Sequence, residues 1–85
     1  MVWDMIKEAF SQVLNQQRRA KQFTQDKLAE RCELSLRYLQ ELEAGDKQPT
    51  LTTLFQLAEG LEIDPQELIS PVWDIWRKQR TSANK

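Results

Sequence analysis

The chain has 85 residues, 40% of them hydrophobic and 29% charged, with a formal net charge of -1. That length bounds it to one small domain, and no apolar run approaches the roughly 18 residues needed to cross a bilayer. The lack of histidine removes the commonest general base and zinc ligand, and a single cysteine excludes an internal disulfide framework.

The N-terminal segment MVWDMIKEAF carries acid early and lacks an apolar stretch with a small-residue cleavage site. It does not read as a signal peptide, so a cytoplasmic protein is expected. A first helix is predicted from about Asp4 to Lys21, with Ile6, Phe10, Val13, Leu14 and Gln17 at helical spacing. Gln22 ends it and Phe23 plugs the connection to the core. Thr24 caps a second helix, because its hydroxyl can accept from a free backbone N–H, and Asp26 in the first turn suits the helix dipole. Leu28, Ala29 and Cys32 form the inner face, with Ala29 small where two helices cross. Cys32 reads as a half-buried inert thiol, with a redox sensor as the alternative.

Glu33 and Leu34 make the next turn, with Leu34 directed inward. Ser35 caps a third helix, Tyr38, Leu39 and Leu42 supply its packing positions, and Gly45 is its left-handed stop. Thr50 caps a fourth helix with a broad apolar surface from Leu51 to Leu61, and Gly60 is expected to loosen its end. Asp64 and Pro65 open a fifth helix, in which Leu68 and Ile69 close the core. Ser70 and Pro71 repeat that signal, so a short sixth helix is predicted over about 71–80, followed by a frayed tail at 81–85. No strand pattern or repeat is present. The fold expected is all-α: a five-helix core over about 4–69 plus a short C-terminal helix, in a single domain.

Charge is unevenly distributed. The two signs nearly balance from Arg18 to Lys47, only acids occur from Glu59 to Asp74, and only bases from Arg77 to Lys85. The acidic half cannot face phosphate, so a nucleic-acid face must lie in the N-terminal half or the tail. Trp3 stands at one end of the chain and Trp73 and Trp76 at the other. With Val72 and Ile75 they make the last helix too apolar to stand in water. Either it folds back on the first helix and buries Trp3, or it joins an isologous dimer interface, and both can hold at once.

The stretch from Phe23 to Thr50 reads as two short helices joined by a tight turn and followed by a glycine stop, a geometry that can place one helix in the major groove of DNA. Residues 10–69 resemble the Cro and phage-repressor type helix-turn-helix family, the xenobiotic-response-element class. The residues that carry the resemblance are Arg18, Thr24-Gln25, Leu28-Ala29-Glu30, Leu34-Ser35, Tyr38-Leu39, Leu42-Glu43, Gly45, Pro49, Leu51, Leu54, Leu57-Ala58, Leu61 and Asp64-Pro65.

The resemblance implies that the first turns of the third helix, with Ser35, Leu36, Arg37, Gln40 and Glu41, enter the groove. Arg37 would fork onto guanine, Leu36 would touch a thymine methyl, and Gln40 would serve a base edge or a phosphate. Thr24 and Gln25 at the start of the second helix would lie near the backbone, Gln25 also near the first base contact, while Lys47 and Gln48 in the loop and the Tyr38 hydroxyl would contact phosphate. Arg18 and Glu43 match a structural ion pair rather than a DNA contact. Three residues depart from the family pattern: Glu33 stands where glycine is frequent, and Glu41 and Asp46 place negative charge near the face.

By the same resemblance, the function implied is a sequence-specific DNA-binding transcriptional regulator, a homodimeric repressor on double-stranded DNA with a palindromic site. Its recognition helices would stand about one turn, roughly 34 Å, apart. It would be bacterial or phage-encoded and nucleoid-associated. No cofactor, metal, membrane or small-molecule partner is expected. The alternative is a protein-interaction module or antitoxin-like adaptor, using a surface of Trp3, Val72, Trp73, Ile75 and Trp76. An enzyme fits poorly, because the chain has no phosphate-binding glycine loop and no evident nucleophile–base pair.

Overall fold

The structure, a computed structural model, describes residues 2–83. A 3₁₀ turn at Val2–Asp4 leads into α1 (Met5–Ala20), α2 (Gln25–Cys32), α3 (Leu36–Glu43), α4 (Leu51–Leu61) and α5 (Gln66–Ala83). No strand occurs among the described residues, and none of their helices is long and apolar enough to cross a membrane.

Three helices begin on the same device. The hydroxyl oxygens of Thr24, Ser35 and Thr50 accept from the backbone N–H groups of Lys27, Tyr38 and Thr53 at 3.1, 3.1 and 3.0 Å. Each bond satisfies one of the donors that a helix start leaves unpaired.

The ends of α1 to α4 also share a device. A left-handed residue follows each helix, and the next residue's N–H reaches back to a carbonyl five positions earlier: Phe23 to Arg18, Leu34 to Ala29, Asp46 to Glu41 and Ile63 to Ala58. This is the Schellman closure, which commonly uses glycine at the left-handed position. Only Gly45, at φ 80°, fits that habit; Gln22, Glu33 and Glu62 hold φ near 60° with full side chains. The residues that follow these three are Phe23, Leu34 and Ile63, and all pack against the core. Burial of that apolar residue offsets the left-handed penalty of about 1–2 kcal/mol.

The core takes Phe10, Val13 and Leu14 from α1, Leu28, Ala29 and Cys32 from α2, Leu39 and Leu42 from α3, Leu54, Leu57, Ala58 and Leu61 from α4, and Leu68 from α5. Gly60 is not a loose end. It is buried where α4 meets α2, and a Cβ there would overlap Cys32 Sγ and stand 3.3 Å from the backbone of Arg31 and Cys32. Glycine is what lets the two helices approach.

The expected break at Ser70-Pro71 is absent, and the fifth and sixth predicted helices are one helix, α5, with Pro71 inside it. A proline at 71 removes the N–H that would have bonded to the Glu67 carbonyl. Gln17 of α1 supplies a substitute, its Nε2 donating to that carbonyl at 3.5 Å. The helix also continues through Ala83, beyond the point where fraying was expected; Asn84 and Lys85 lie outside the described residues.

α5 folds back along α1, the most extensive helix pairing in the molecule. Trp76 is 3% exposed, and its indole N–H donates to the Val2 carbonyl at 2.9 Å. Trp3 stacks on Trp76 with ring centroids 5.1 Å apart, yet remains 58% exposed. The fold-back therefore buries Trp76 and not Trp3.

Candidate nucleic-acid interface

The helix α3 turns Leu39 and Leu42 into the core. With 3.6 residues per turn, Arg37, Gln40 and Glu41 then share the outer side, and Leu36, three residues before Leu39, sits at its edge toward α2. Arg37 and Gln40 are exposed, while Leu36 and Glu41 are half-buried. Ser35 sits at the N-terminal tip, where its hydroxyl is engaged as the cap. Thr24 occupies the same position on α2, and Gln25 is that helix's first residue. Thr24, Leu34 and Leu36 border one shallow cleft between the two helices.

The frame beneath this face is a polar cluster centred on Glu43. Arg18 forks onto its carboxylate, with Nε 2.7 Å from Oε2 and Nη2 3.0 Å from Oε1. Asn15 Nδ2 and Gln25 Nε2 also donate to Oε1, at 3.0 and 3.2 Å. The third nitrogen of Arg18 donates to the Phe23 carbonyl at 2.9 Å. The side chains of Arg18 and Glu43 are 13% and 4% exposed. Burial alone would push the Glu43 carboxyl up. Hydrogen bonds from Arg18, Asn15 and Gln25, with the Arg18 charge, outweigh it and hold the carboxyl below its ordinary value of 4.5. The cluster ties α1, α2 and α3 to one point.

Gln25 connects this cluster to the surface. An ionised carboxylate only accepts hydrogen bonds, so the amide nitrogen of Gln25 must face Glu43. Its oxygen then turns outward, where Gln40 Nε2 donates to it at 3.4 Å. Gln40 keeps one N–H and its carbonyl oxygen directed away from that bond.

The loop residues occupy a different setting from the one expected of free phosphate ligands. Lys47 Nζ lies 3.3 Å from Glu41 Oε1, so the base is partly neutralised by the acid that departs from the family pattern. Gln48 is exposed beside Pro49. Tyr38 packs its ring on the core, and its hydroxyl donates to Thr53 Oγ1 on α4 at 3.5 Å, away from the Arg37 side. Trp3, Val72, Trp73 and Trp76 gather with Ile6 and Ile69 around one cleft beside the start of α1, Ile75 packs against the core, and Val72 also borders a groove shared with Gln48 and Pro49.

Sequence reasoning missed Asn15, which stands one turn before Arg18 on α1 and points at the same carboxylate; that spacing was its only signal. It also missed Arg31, whose Nε donates to the Gly60 carbonyl at 2.7 Å while its guanidinium covers the Phe23 ring at 4.8 Å. Cys32 is buried. Burial pushes its thiol up to about 11, against the opposing pulls of the Arg31 charge and a Gly60 backbone hydrogen bond. Among the described residues no group of three or more histidines, cysteines or acids is placed to hold a metal ion.

Comparison with known proteins agrees with this architecture. A family model described as helix-turn-helix matches residues 14–68, more than half of the chain. The uncharacterized HTH-type transcriptional regulator y4dJ of Sinorhizobium fredii is 41% identical over 54 residues, which are 64% of this chain and 70% of that one. Among solved structures, the restriction-modification controller protein C.AhdI from Aeromonas hydrophila aligns with a TM-score of 0.69 at 35% identity, over 76% of this chain and 96% of that chain. The clp gene regulator ClgR from Corynebacterium glutamicum aligns with a TM-score of 0.82 at 25% identity, over 93% of this chain and 84% of that chain.

Proposed function

The chain belongs to the helix-turn-helix family of the Cro and phage-repressor type and is a DNA-binding transcriptional regulator; from that premise we propose that it acts as a homodimeric repressor reading an inverted-repeat site with α3 in the major groove. The observation that carries this reading is the rigid seating of α3. Its inner side is locked into the core and its last turn is pinned through Glu43 to α1 and α2, which leaves Arg37 and Gln40 exposed on the outer side.

In this reading Arg37 forks onto a guanine, worth about 1–3 kcal/mol of discrimination against the wrong base. Gln40 serves a neighbouring base edge and Leu36 a thymine methyl. Ser35, Thr24 and Gln25 border the phosphates at the two helix starts, with Lys47 and Gln48 at the far side of the groove. Glu41 repels phosphate and holds Lys47, so affinity for arbitrary sequence is low. A single copy then grips weakly at physiological salt, and a two-fold pair on a palindromic site supplies the missing affinity. Repression would follow from occlusion of a promoter or contact with polymerase, in the cytoplasm of a bacterium or on phage DNA.

The test is selection from a randomised duplex pool at about 0.1 M salt, where exposed charges are screened over about 10 Å, followed by sequencing of the retained DNA. Inverted half-sites about one helical turn apart are expected, and Arg37→Ala should relax one position in each. A folded protein that enriches no sequence would sink the proposal. The exposed Trp3 and Trp73 would then favour the second reading, a protein-interaction module or antitoxin-like adaptor.

A further inference from the structure

The acid on the outer side of α3 has no base of its own in the reading above. Arg37 and Glu41 stand one turn apart, the spacing at which opposite charges on a helix ordinarily pair with each other. They do not pair here. Glu41 Oε1 turns instead to Lys47 Nζ in the loop, at 3.3 Å, and Arg37 stays exposed with no hydrogen-bond or ion-pair partner among the described residues. The second carboxylate oxygen, Glu41 Oε2, likewise has none among them. Glu43, two residues on, differs, because both of its oxygens are taken by Arg18, Asn15 and Gln25. Glu41 therefore keeps one open acceptor on the side where α3 exposes Arg37 and Gln40.

A carboxylate brought among phosphates needs a compensating charge, and Lys47 supplies it. The Glu41 side chain is 27% exposed and that of Lys47 54%. A lysine ammonium has three N–H donors, so Lys47 can hold Glu41 with one and reach a phosphate oxygen with another. What Glu41 can then meet follows from its chemistry, because an ionised carboxylate only accepts hydrogen bonds. Guanine N7 and O6 and thymine O4 are acceptors in the major groove and repel it; the donors there are cytosine N4 and adenine N6. The adenine amine stands between two acceptors, its own N7 and the O4 of the paired thymine. The cytosine amine has an acceptor on one side only, guanine O6. A carboxylate therefore favours cytosine.

We propose that Glu41 is a base-reading residue whose ligand is the N4 amine of a cytosine, within about two base pairs of the guanine held by Arg37. The separation follows from the helix: four residues at about 1.5 Å each rise about 6 Å, against about 3.4 Å between base pairs. Lys47 positions the carboxylate through Oε1 and bridges it to the backbone, which leaves Oε2 for the cytosine. The low affinity for arbitrary sequence and the choice of cytosine then share one origin. On a wrong base pair Oε2 meets acceptors, and on the right one it meets a donor. This inference rests on the reading of α3 as the helix in the groove and adds the base that Glu41 selects.

The test takes the full chain and its Glu41→Gln, Glu41→Ala and Lys47→Met variants through the duplex selection, and measures affinity for the enriched site across salt. The end of α3 survives these substitutions, because its closure uses the Glu41 backbone carbonyl, which accepts from the Asp46 N–H at 3.0 Å; unchanged helical circular dichroism checks this. In the parent, one position of each half-site should be cytosine, and replacing it should weaken binding about tenfold. Glu41→Gln should change that position to adenine, whose N6 and N7 an amide matches, and Glu41→Ala should leave it without preference. Both should keep the guanine assigned to Arg37. Lys47→Met should keep the cytosine, weaken all sequences alike and lower the salt slope by about one. N4-methylcytosine keeps its base pair but loses the N–H that points into the groove. A duplex carrying it at that position should bind the parent as weakly as a mismatch does, and bind Glu41→Ala no worse than the plain duplex. If Glu41→Gln keeps every base preference and binds all sequences more tightly by one factor, Glu41 only repels phosphate; this inference then falls and the functional reading stands. Equal affinity of the parent for plain and methylated duplexes would overturn it too. A parent that enriches no sequence would remove both together.

Discussion

Glu43 is the residue on which the recognition unit depends. Its carboxylate takes four hydrogen bonds from three side chains and is almost sealed from water. Arg18→Met would strand that charge, at a cost of about 3–5 kcal/mol for a buried pair, read as a loss in denaturant midpoint. The pH dependence has a definite sign. Because the folded carboxyl lies below its ordinary value of 4.5, its contribution is full above that value and is lost as pH falls through the folded one. Glu43→Gln should therefore be less stable than the parent at pH 7, and the difference should shrink below about pH 4. Urea titrations of both proteins across that range check it; a constant difference would refute the linkage. The Arg18–Glu43 pairing was legible because the two residues sit at positions a resemblance marks. Asn15 and Gln25 as its other donors were not, since nothing local announces a contact spanning 28 or 18 residues.

Helix starts were easier to read than helix ends. Thr24, Ser35 and Thr50 announce themselves because capping is local chemistry, and Gly45 because glycine tolerates a positive φ. Gln22, Glu33 and Glu62 take the same backbone conformation with no such advertisement, since there the apolar residue that follows does the anchoring. Pro71 misled for a related reason. A cap-like serine followed by proline normally opens a new helix, and only a side chain from α1 reveals why this one continues. Gly60 gave the opposite error, reading as a weakness when it is a close approach. Gly60→Ala should cost about 1–3 kcal/mol by overpacking despite the better helix propensity of alanine. Adding Cys32→Ala should recover part of that loss, because the sulfur is the nearest obstruction, but not all, because the α2 backbone remains 3.3 Å away. Thermal melts of the single and double variants decide it; full recovery would mean that the backbone yields.

Across the whole molecule, residues distant in sequence close the structure. The Trp76–Val2 bond joins positions 74 apart, and α5 pairs with α1 more extensively than any other two helices do among the described residues. The tryptophans therefore report on the closure between the two ends, while far-UV circular dichroism reports on all the helices. If α1 to α5 form one cooperative unit, the two signals should give coincident urea transitions. An earlier fluorescence transition would show that the α1–α5 closure unfolds on its own. The general layout was accessible from apolar spacing, but the packing of that end was not: composition alone allowed both burial and exposure, and Trp76 and Trp3 each took one of them.

The orientation of the Gln25 amide has a consequence for how such a protein diverges. A surface glutamine can usually exchange its oxygen and nitrogen by a half-turn, and so tolerate either a donor or an acceptor opposite it. Gln25 cannot, because a half-turn would set its oxygen against the Glu43 carboxylate. The polarity handed on to Gln40 is inherited from the buried Arg18–Glu43 ion pair beneath it. If Gln40 serves a base edge as proposed, a lineage that changed its preferred operator there would have to do so by replacing residue 40, or by rebuilding the interior of the domain.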